Sequence, residues 1–197
     1  MNQAPGVQCK CGTFKGQLSD TAFQRHNHLV CYCHDCQAFA RYVGASMTMN
    51  ERGGTEIIQV ACSDVTITED QESLAAVRLS EGGLTRWYAS CCDTPVGNAP
   101  GTGLPFIGLI HDCLQPADQI EKSFGSVTLI AFANKALGED RVEPRGMPMG
   151  FIRFLLLALG AKFRGDGKRH AFFLPTGEPI TNPAVLNDAE RAPLYAE

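Results

Sequence analysis

Three cysteines stand within a stretch of six residues, at Cys31, Cys33 and Cys36. Residues i and i+2 of an extended chain point to the same face, so Cys31 and Cys33 can reach one ion together. A turn through His34 and Asp35 can then bring Cys36 back to that ion. Zinc takes four soft or borderline ligands in a tetrahedron, with sulfur at about 2.3 Å. The spacing therefore predicts that these three cysteines bind zinc.

This three-cysteine site leaves a fourth coordination position open, which is the arrangement of catalytic rather than structural zinc. Three thiolates make the dication a weak Lewis acid, and such a soft centre suits an incoming thiolate better than hydroxide. The open position requires that His34 and Asp35 do not fill it. We expect both to be exposed loop residues. The alternative is that His34 transfers protons or orients a metal ligand.

A second pair of cysteines, Cys9 and Cys11, has the same i, i+2 spacing. Two ligands rarely hold zinc tightly, so this pair needs partners from elsewhere in the chain. The candidates are the adjacent Cys91 and Cys92. Neighbouring residues of a strand face opposite ways, so both can join one tetrahedron only if the chain turns there. Otherwise one of the two is a packing residue.

The order and spacing of these motifs resemble those of a known family. Nineteen residues separate Cys11 from Cys31, and an Arg-x-aromatic segment at Arg86 precedes a Cys-x-Thr-Pro turn that begins at Cys92. Over roughly residues 5–135 the chain is similar to the glutathione-dependent formaldehyde-activating enzymes, a family that includes centromere protein V.

The resemblance implies a β-rich zinc fold, often called a β-tent, with two zinc ions. One zinc would be structural, held by Cys9, Cys11 and a C-x-x-C motif in the second half of the fold. The other would lie at the catalytic site, held by the cluster from Cys31 to Cys36. The implied reaction adds the thiol of glutathione to formaldehyde and gives S-(hydroxymethyl)glutathione.

The chain departs from the late motif of that family, Arg-x-Phe-Cys-x-x-Cys-Gly-x-Pro, at two informative positions. Ala89 falls where the first cysteine belongs, and Asp93 falls where the glycine belongs. The structural site would then keep the first C-x-C pair and Cys92, which makes three ligands instead of four. Cys91 could substitute after a local shift, or the site could be weak or empty.

These observations predict a zinc-dependent enzyme of the carbon–sulfur lyase type that joins a small thiol, glutathione by resemblance, to formaldehyde or a related aldehyde. Arg41 and Arg52 could contact the carboxylates of glutathione. The alternative is that each is a solvent-exposed surface residue with no role in binding. A rival hypothesis is a non-catalytic, zinc-stabilised binding module, which requires a fourth protein ligand at the Cys31 site. A third is a redox switch whose oxidised thiolates release the metal.

The composition bounds the class of protein and its partners. The 197 residues are 44% hydrophobic and 19% charged, as in an ordinary globular protein. The net charge of −4 argues against a nucleic-acid partner, because such binding needs clustered Lys and Arg. The first residues lack a basic and an apolar run, so we expect no secretory signal. The odd count of nine cysteines fits a reducing compartment, and we expect a cytoplasmic protein.

The elements that must position the cysteines are predicted to be mainly strands. Short β-rich runs separated by Gly or polar clusters predict antiparallel, β-tent-like sheets within a zinc-binding domain over residues 1–140. The runs are residues 57–60, 65–68, 75–79, 106–110 and 127–132.

Residues 141–197 are predicted to form a helical extension and a tail that pack on this domain. Residues 151–161 are apolar on nearly every side, but a membrane span needs about 20 such residues. We predict a helix packed on the sheet, with an oligomer contact or an interfacial membrane helix as alternatives. We therefore expect no membrane partner, and a homo-oligomer remains open.

Overall fold

The computed structural model describes residues 4–44 and 48–196, and β-strands dominate that part of the chain. The strands in chain order are β1 (Gly6–Gln8), β2 (Lys15–Leu18), β3 (Asn27–Cys31), β4 (Thr55–Ala61), β5 (Val65–Glu69), β6 (Leu74–Arg78), β7 (Thr85–Ala89), β8 (Thr94–Ala99), β9 (Phe106–Ile110), β10 (Leu114–Gln115), β11 (Leu129–Ala131) and β12 (Ala184–Val185). The α-helices are α1 (Asp20–Gln24), α2 (His34–Tyr42), α3 (Ile120–Phe124), α4 (Met147–Phe163) and α5 (Asp188–Arg191).

The strands form two sheets. The smaller sheet has the order β10-β1-β2-β5 and is antiparallel throughout. The larger sheet has the order β11-β3-β4-β9-β8-β7-β6-β12. Its inner strands are antiparallel, whereas β11 joins β3 and β12 joins β6 in parallel at the two edges. The prediction of a mainly β fold is confirmed. The two parallel edge strands, β11 and β12, come from the second half of the chain and pair with strands formed earlier in it.

The main core unites side chains from both sheets. Val7 of β1 lies in the same apolar cluster as Ile58 of β4 and Trp87 of β7. Phe172 and Phe173 of the tail place their rings 5.4 and 5.8 Å from the ring of Trp87. The segment that follows α4 therefore contributes directly to the core of the strand domain.

The predicted strands are present with small shifts at their ends. β4 is three residues longer than its predicted run, and β11 is three residues shorter, since it covers residues 129–131 of the predicted run 127–132. Phe132 adopts a left-handed backbone with φ of 55°, and this conformation ends the strand.

The predicted apolar helix is confirmed as α4, and it begins four residues earlier than residue 151 because Pro148 is accommodated in its first turn. Its buried side consists of Gly150, Leu157, Ala158 and Ala161. Gly150 lies against Leu129 of β11, where an added Cβ would come within 2.7 Å of a leucine carbon. No helix in residues 4–44 and 48–196 is long and apolar enough to cross a membrane.

A buried histidine beside the core makes the stability of the fold depend on pH. Burial lowers the pKa of His170 from 6.5 to about 4. Its Nδ1 accepts a hydrogen bond from the backbone N–H of Phe172 at 3.2 Å, which only the neutral ring can do at that nitrogen. The stabilisation is present above pH 6.5 and is lost as the pH falls towards 4, because the unfolded chain binds the proton first.

We expect wild-type protein to lose up to about 3 kcal/mol of unfolding free energy through His170 between pH 7 and pH 4. In His170→Asn the amide oxygen of the new side chain can still accept the hydrogen bond from the backbone N–H of Phe172. The asparagine side chain does not bind a proton between pH 7 and pH 4. Urea midpoints measured across this range should therefore fall more steeply for wild type than for the variant. Equal slopes would show that His170 does not carry this pH dependence.

Candidate metal centres

The first cysteine group lies where β3 gives way to α2. Cys31 is the last residue of β3 and pairs with Thr55 of β4 on one side and with Ala131 of β11 on the other. The backbone N–H of Tyr32 donates to Ala131 O at 3.0 Å and continues this pairing. Cys31 is thus held between two neighbouring strands, which fixes the direction of its side chain.

The other two sulfurs come from the start of α2. Cys33 is the N-cap residue, with an extended backbone, and its Sγ accepts the N–H of Cys36 at 3.4 Å. Cys36 lies in the first helical turn and is buried. The Sγ atoms of Cys31, Cys33 and Cys36 lie within 4.8 Å of one another. The three residues predicted from their spacing are brought together, and a helical turn replaces the predicted loop.

A small turn before β4 fixes the residue between the first two cysteines. The Tyr32 ring lies over Gly54, where a Cβ would come within 2.6 Å of it. Asn50 donates to the hydroxyl of Tyr32 at 3.1 Å and accepts the N–H of Gly54 at 2.9 Å. Gln37 of α2 donates to the carbonyl of Tyr32 at 2.9 Å. These contacts make the segment from Cys31 to Cys33 a preorganised part of the site.

The electrostatics of this group favour a bound cation. The thiols of Cys31 and Cys36 donate to Cys33 and lower its pKa to about 3, and the N–H of Cys36 and the charge of Arg86 act in the same direction. The same contact with Cys33 raises the pKa of Cys31 to about 12, and the pKa of Cys36 is raised well above its ordinary value by Cys31, Cys33 and burial. A metal ion held by the three sulfurs would stabilise all three as thiolates.

His34 and Asp35 do not belong to the sulfur group. Both are exposed at the start of α2, and within the described ranges the metal-binding group at this point contains the three cysteines alone. Asp35 pairs instead with Arg86 of β7, with Oδ2 accepting from Nη2 at 3.2 Å. The expectation that these two residues are exposed is met, and the pairing with Arg86 is a contact that spacing gave no sign of.

Arg86 is a buried cation beside the cluster. Its side chain is 2% exposed and donates to Asn98 Oδ1 of β8 at 3.1 Å as well as to Asp35. Its guanidinium carbon lies 5.8 Å from the centre of the Phe39 ring. Arg86 therefore joins the large sheet to α2 and places one positive charge next to the sulfurs.

We expect Arg86→Met to lower the unfolding free energy by about 2–4 kcal/mol, because the Asn98 oxygen and the Asp35 carboxylate both lose a charged donor. Arg78→Met on β6 is the matched control, since Arg78 is half-buried and donates to Thr85 Oγ1 at 3.1 Å. The control loses a single hydrogen bond and should cost about 0.5–1.5 kcal/mol. Urea denaturation measures both values, and equal losses would contradict a special role for Arg86.

The end of the chain also reaches the first site. Tyr195 donates its hydroxyl to Asp35 Oδ1 at 2.7 Å, and Arg41 of α2 donates to the carbonyl of Leu194 at 2.7 Å. Arg52 is held on the other side of the loop, where its Nε donates to the carbonyl of Leu137 at 2.6 Å. Both arginines are thus engaged within the chain, and the contact of Tyr195 was not foreseen because 160 residues separate it from Asp35.

The second group contains four cysteines rather than three. Cys9 and Cys11 lie between β1 and β2, and Cys91 and Cys92 lie in the turn between β7 and β8. The four Sγ atoms lie within 4.8 Å of one another. The Sγ–Sγ distances are 3.3 Å for Cys11–Cys91, 3.4 Å for Cys9–Cys11, 3.7 Å for Cys9–Cys91 and 3.8 Å for Cys91–Cys92. Cys91 thus lies in one sulfur group with Cys9, Cys11 and Cys92, the three residues predicted from sequence.

The turn after β7 explains how two adjacent cysteines face the same group. Ala89 is the buried last residue of β7, pairs with Thr94 and offers no ligand atom. The turn begins after it, and the N–H of Cys92 donates to the carbonyl of Ala89 at 3.2 Å. Asp93 adopts a left-handed backbone with φ of 53°, a conformation that glycine adopts at no cost and Asp tolerates better than most residues.

The sulfur geometry of the second group matches a tetrahedral metal site. Four sulfurs at about 2.3 Å from one zinc ion are about 3.8 Å from one another. The observed distances of 3.3–3.8 Å approach that spacing without a disulfide. Both cysteine groups are therefore positioned to hold a metal ion.

The remaining cysteines have no such arrangement. Cys62 and Cys113 are buried beside apolar strands, and each donates its thiol to a backbone carbonyl, of Asp166 and Val96 respectively. Burial raises the pKa of both thiols, that of Cys62 to about 12. They are core residues, as their sequence neighbours suggest.

A mainly β fold with two cysteine groups, each able to hold a metal ion, defines the class of this protein. The chain belongs to a family of unknown function (DUF6151), whose model matches residues 1–182. It is similar to a protein of Rhodobacter sphaeroides solved by crystallography, with 16% identity, a TM-score of 0.40 and coverage of 64% of this chain and 98% of that one. A comparison with curated proteins finds no match.

Proposed function

We propose that this protein is a zinc enzyme that joins a small thiol, with glutathione as the leading candidate, to formaldehyde or a related aldehyde. The observation that carries the proposal is the three-sulfur group of Cys31, Cys33 and Cys36. Within residues 4–44 and 48–196 no histidine, carboxylate or further cysteine completes it. A tetrahedral ion held there keeps one position for an external ligand.

The choice of zinc follows from the donors. Two groups made of thiolates alone suit a soft or borderline ion, and hard ions such as magnesium prefer oxygen. When bound by the three cysteines, zinc would supply a soft centre that holds an incoming thiol as its thiolate. The four-cysteine group has no open position and suits a structural ion.

The chemistry requires a balanced addition. The sulfur of the thiolate forms a bond to the carbonyl carbon, and the π electron pair of the C=O bond moves to the oxygen. The oxygen then takes up one proton, which replaces the proton that the thiol released. The product is a hemithioacetal, and no redox partner is needed.

Residues around the cluster supply the other requirements of such an addition. Arg86 offsets the negative charge of the three thiolates. The hydroxyl of Thr55, next to Cys31 across the strands, is buried without a hydrogen-bond partner in the described ranges and could donate to a substrate oxygen. Arg41 and Lys135 border a narrow cleft of about 30 Å³ at the start of α2, and at its rim these two cations could pair with the carboxylates of a thiol such as glutathione.

The experiment is an exchange measurement with zinc-loaded protein, glutathione and carbon-13-labelled formaldehyde. Magnetisation-transfer NMR gives the rate at which free formaldehyde and the hemithioacetal interconvert. We expect the rate to rise in proportion to protein concentration. Protein that leaves this rate unchanged and does not bind glutathione would overturn the proposal.

Cobalt substitution separates the enzyme from a non-catalytic zinc module. An open fourth position predicts that glutathione changes the thiolate-to-cobalt absorption bands, whereas S-methylglutathione, which cannot form a thiolate, does not. A module with a closed site predicts the same cobalt spectrum without ligand, with glutathione and with S-methylglutathione. Full exchange activity with an unchanged spectrum would place the reaction elsewhere on the protein.

A further inference from the structure

Helix α4 has two apolar faces, and only one of them is covered within residues 4–44 and 48–196. Its buried side packs on the large sheet, as described above. The other side exposes six large apolar residues, including Leu156 at 69% and Phe163 at 88% exposure. The six are Met149, Ile152, Leu155, Leu156, Leu159 and Phe163. Contiguous apolar surface of this kind marks an interaction site.

The exposed residues form one stripe along the helix. Successive residues of an α-helix are rotated by about 100°, since there are 3.6 residues per turn. Ile152, Leu159 and Phe163 therefore project from the side opposite to Gly150 and Ala161, which face the sheet. The stripe runs from the first turn of α4 to its last residue.

Cations border the stripe. By the same rotation, Arg153 and Lys162 lie on opposite edges of it. Long basic side chains at such edges can bury their stems beside apolar groups and keep their charge in the polar layer of a membrane. Arg153 and Arg164 also line an open cleft of about 720 Å³ beside α4, together with Arg25, His26 and His28.

Positive charge is concentrated in the segment that contains α4. Residues 145–170 hold six of the 17 Lys and Arg side chains but one of the 21 Asp and Glu side chains. That one acid, Asp166, is buried and paired with Arg164 at 2.8 Å and Arg169 at 2.6 Å. The segment therefore carries +5, and the remaining chain carries −9.

We propose that α4 docks in the plane of an anionic lipid bilayer, with its exposed stripe among the acyl chains and its flanking cations at the lipid phosphates. A helix with an apolar face and basic edges binds such surfaces through apolar burial and electrostatic attraction together. The docked helix is the interfacial membrane helix that the sequence left as an alternative, and it stands in place of the expectation of no membrane partner. It requires insertion along the surface and no crossing of the bilayer.

Charge complementarity favours a bilayer over a second copy of this chain. Two copies that met through α4 would bring Arg153 and Lys162 of both copies, four cations in all, to one interface. Like charges oppose that contact, whereas anionic lipids neutralise both segments.

The test is flotation of the full, metal-loaded chain with lipid vesicles. We expect at least tenfold more protein to float with vesicles of phosphatidylcholine and 30% phosphatidylglycerol than with phosphatidylcholine alone. Leu156→Glu/Phe163→Glu should reduce binding at least tenfold, and Arg153→Gln/Lys162→Gln should weaken it mainly at low salt. Leu104→Glu/Leu174→Glu is the matched control, because both leucines are 43% exposed and lie outside α4. Metal content and circular dichroism verify that each variant is folded.

Depth of insertion is measured with Phe163→Trp, since the native Trp87 is fully buried and does not report on the surface. Brominated anionic lipids should quench the tryptophan of Phe163→Trp, and that of the control Leu174→Trp should remain unquenched. The proposal is overturned if wild type does not float with anionic vesicles, or if the double glutamate variant floats equally well. It is also overturned if light scattering shows that wild type dimerises through α4 and binds no vesicles.

Discussion

We expect Cys33→Ala to release the metal of the three-cysteine group and to lower the rate of thiol–formaldehyde exchange more than about 100-fold. Loss of a residue that only orients a metal ligand already lowers metal affinity or activity about 10–100-fold. Removal of the ligand itself should therefore lower them further. Cys33 is also the sulfur that carries negative charge most readily and that caps α2. Its loss removes both the anchor of the ion and the cap of the helix that carries Cys36.

Elemental analysis and the NMR exchange rate measure this prediction together. Wild type is expected to bind two zinc ions per chain, and Cys33→Ala one. Cys62→Ala is the matched control, because Cys62 is a buried cysteine outside both groups. It should keep two ions and the full rate. If Cys33→Ala retains both ions and the rate, the site assignment is wrong.

The second large effect concerns the stability of the whole fold. We expect Cys91→Ala to lose the other zinc ion and at least about 3 kcal/mol of unfolding free energy, because structural zinc binds zinc-finger peptides with about 10–16 kcal/mol and that binding energy stabilises the fold. The four cysteines connect the β1–β2 turn of the smaller sheet to the β7–β8 turn of the larger one. An ion held there ties the two sheets together on one side of the main core.

Cys91 is the informative choice among the four ligands, since a three-ligand site of Cys9, Cys11 and Cys92 would tolerate its loss. Thermal melts with and without a chelator measure the effect. The chelator should lower the melting temperature of wild type and change that of Cys91→Ala much less. A variant that melts like wild type and keeps two zinc ions would show that Cys91 is not a ligand.

These two variants also separate catalysis from folding. Cys33→Ala should keep the four-cysteine ion and most of the stability, since that site lies between different elements. Cys91→Ala should lose stability first and activity only as the fold weakens. A Cys33→Ala variant that is inactive because it is unfolded would be recognised by its melting temperature.

The sequence by itself determined the features that depend on near neighbours. Cys31, Cys33 and Cys36 are joined by two short steps of chain, so their spacing alone brings the sulfurs together. The strand runs and the apolar helix follow from the local spacing of apolar side chains, because that spacing indicates which face of each element is buried. The same locality explains why Cys9 and Cys11 were recognised as a pair.

Tertiary structure decided everything that links distant segments. Cys91 joins the second group because Asp93 lets the chain turn directly after Ala89, and this turn has no clear signal in one sequence. Arg86 meets Asp35 only because β7 passes beside α2. The free face of α4 is likewise a property of the packed fold, since an apolar helix does not reveal how much of its surface the sheet will cover. Contacts between distant residues depend on how whole elements pack, and that information is spread over the entire chain.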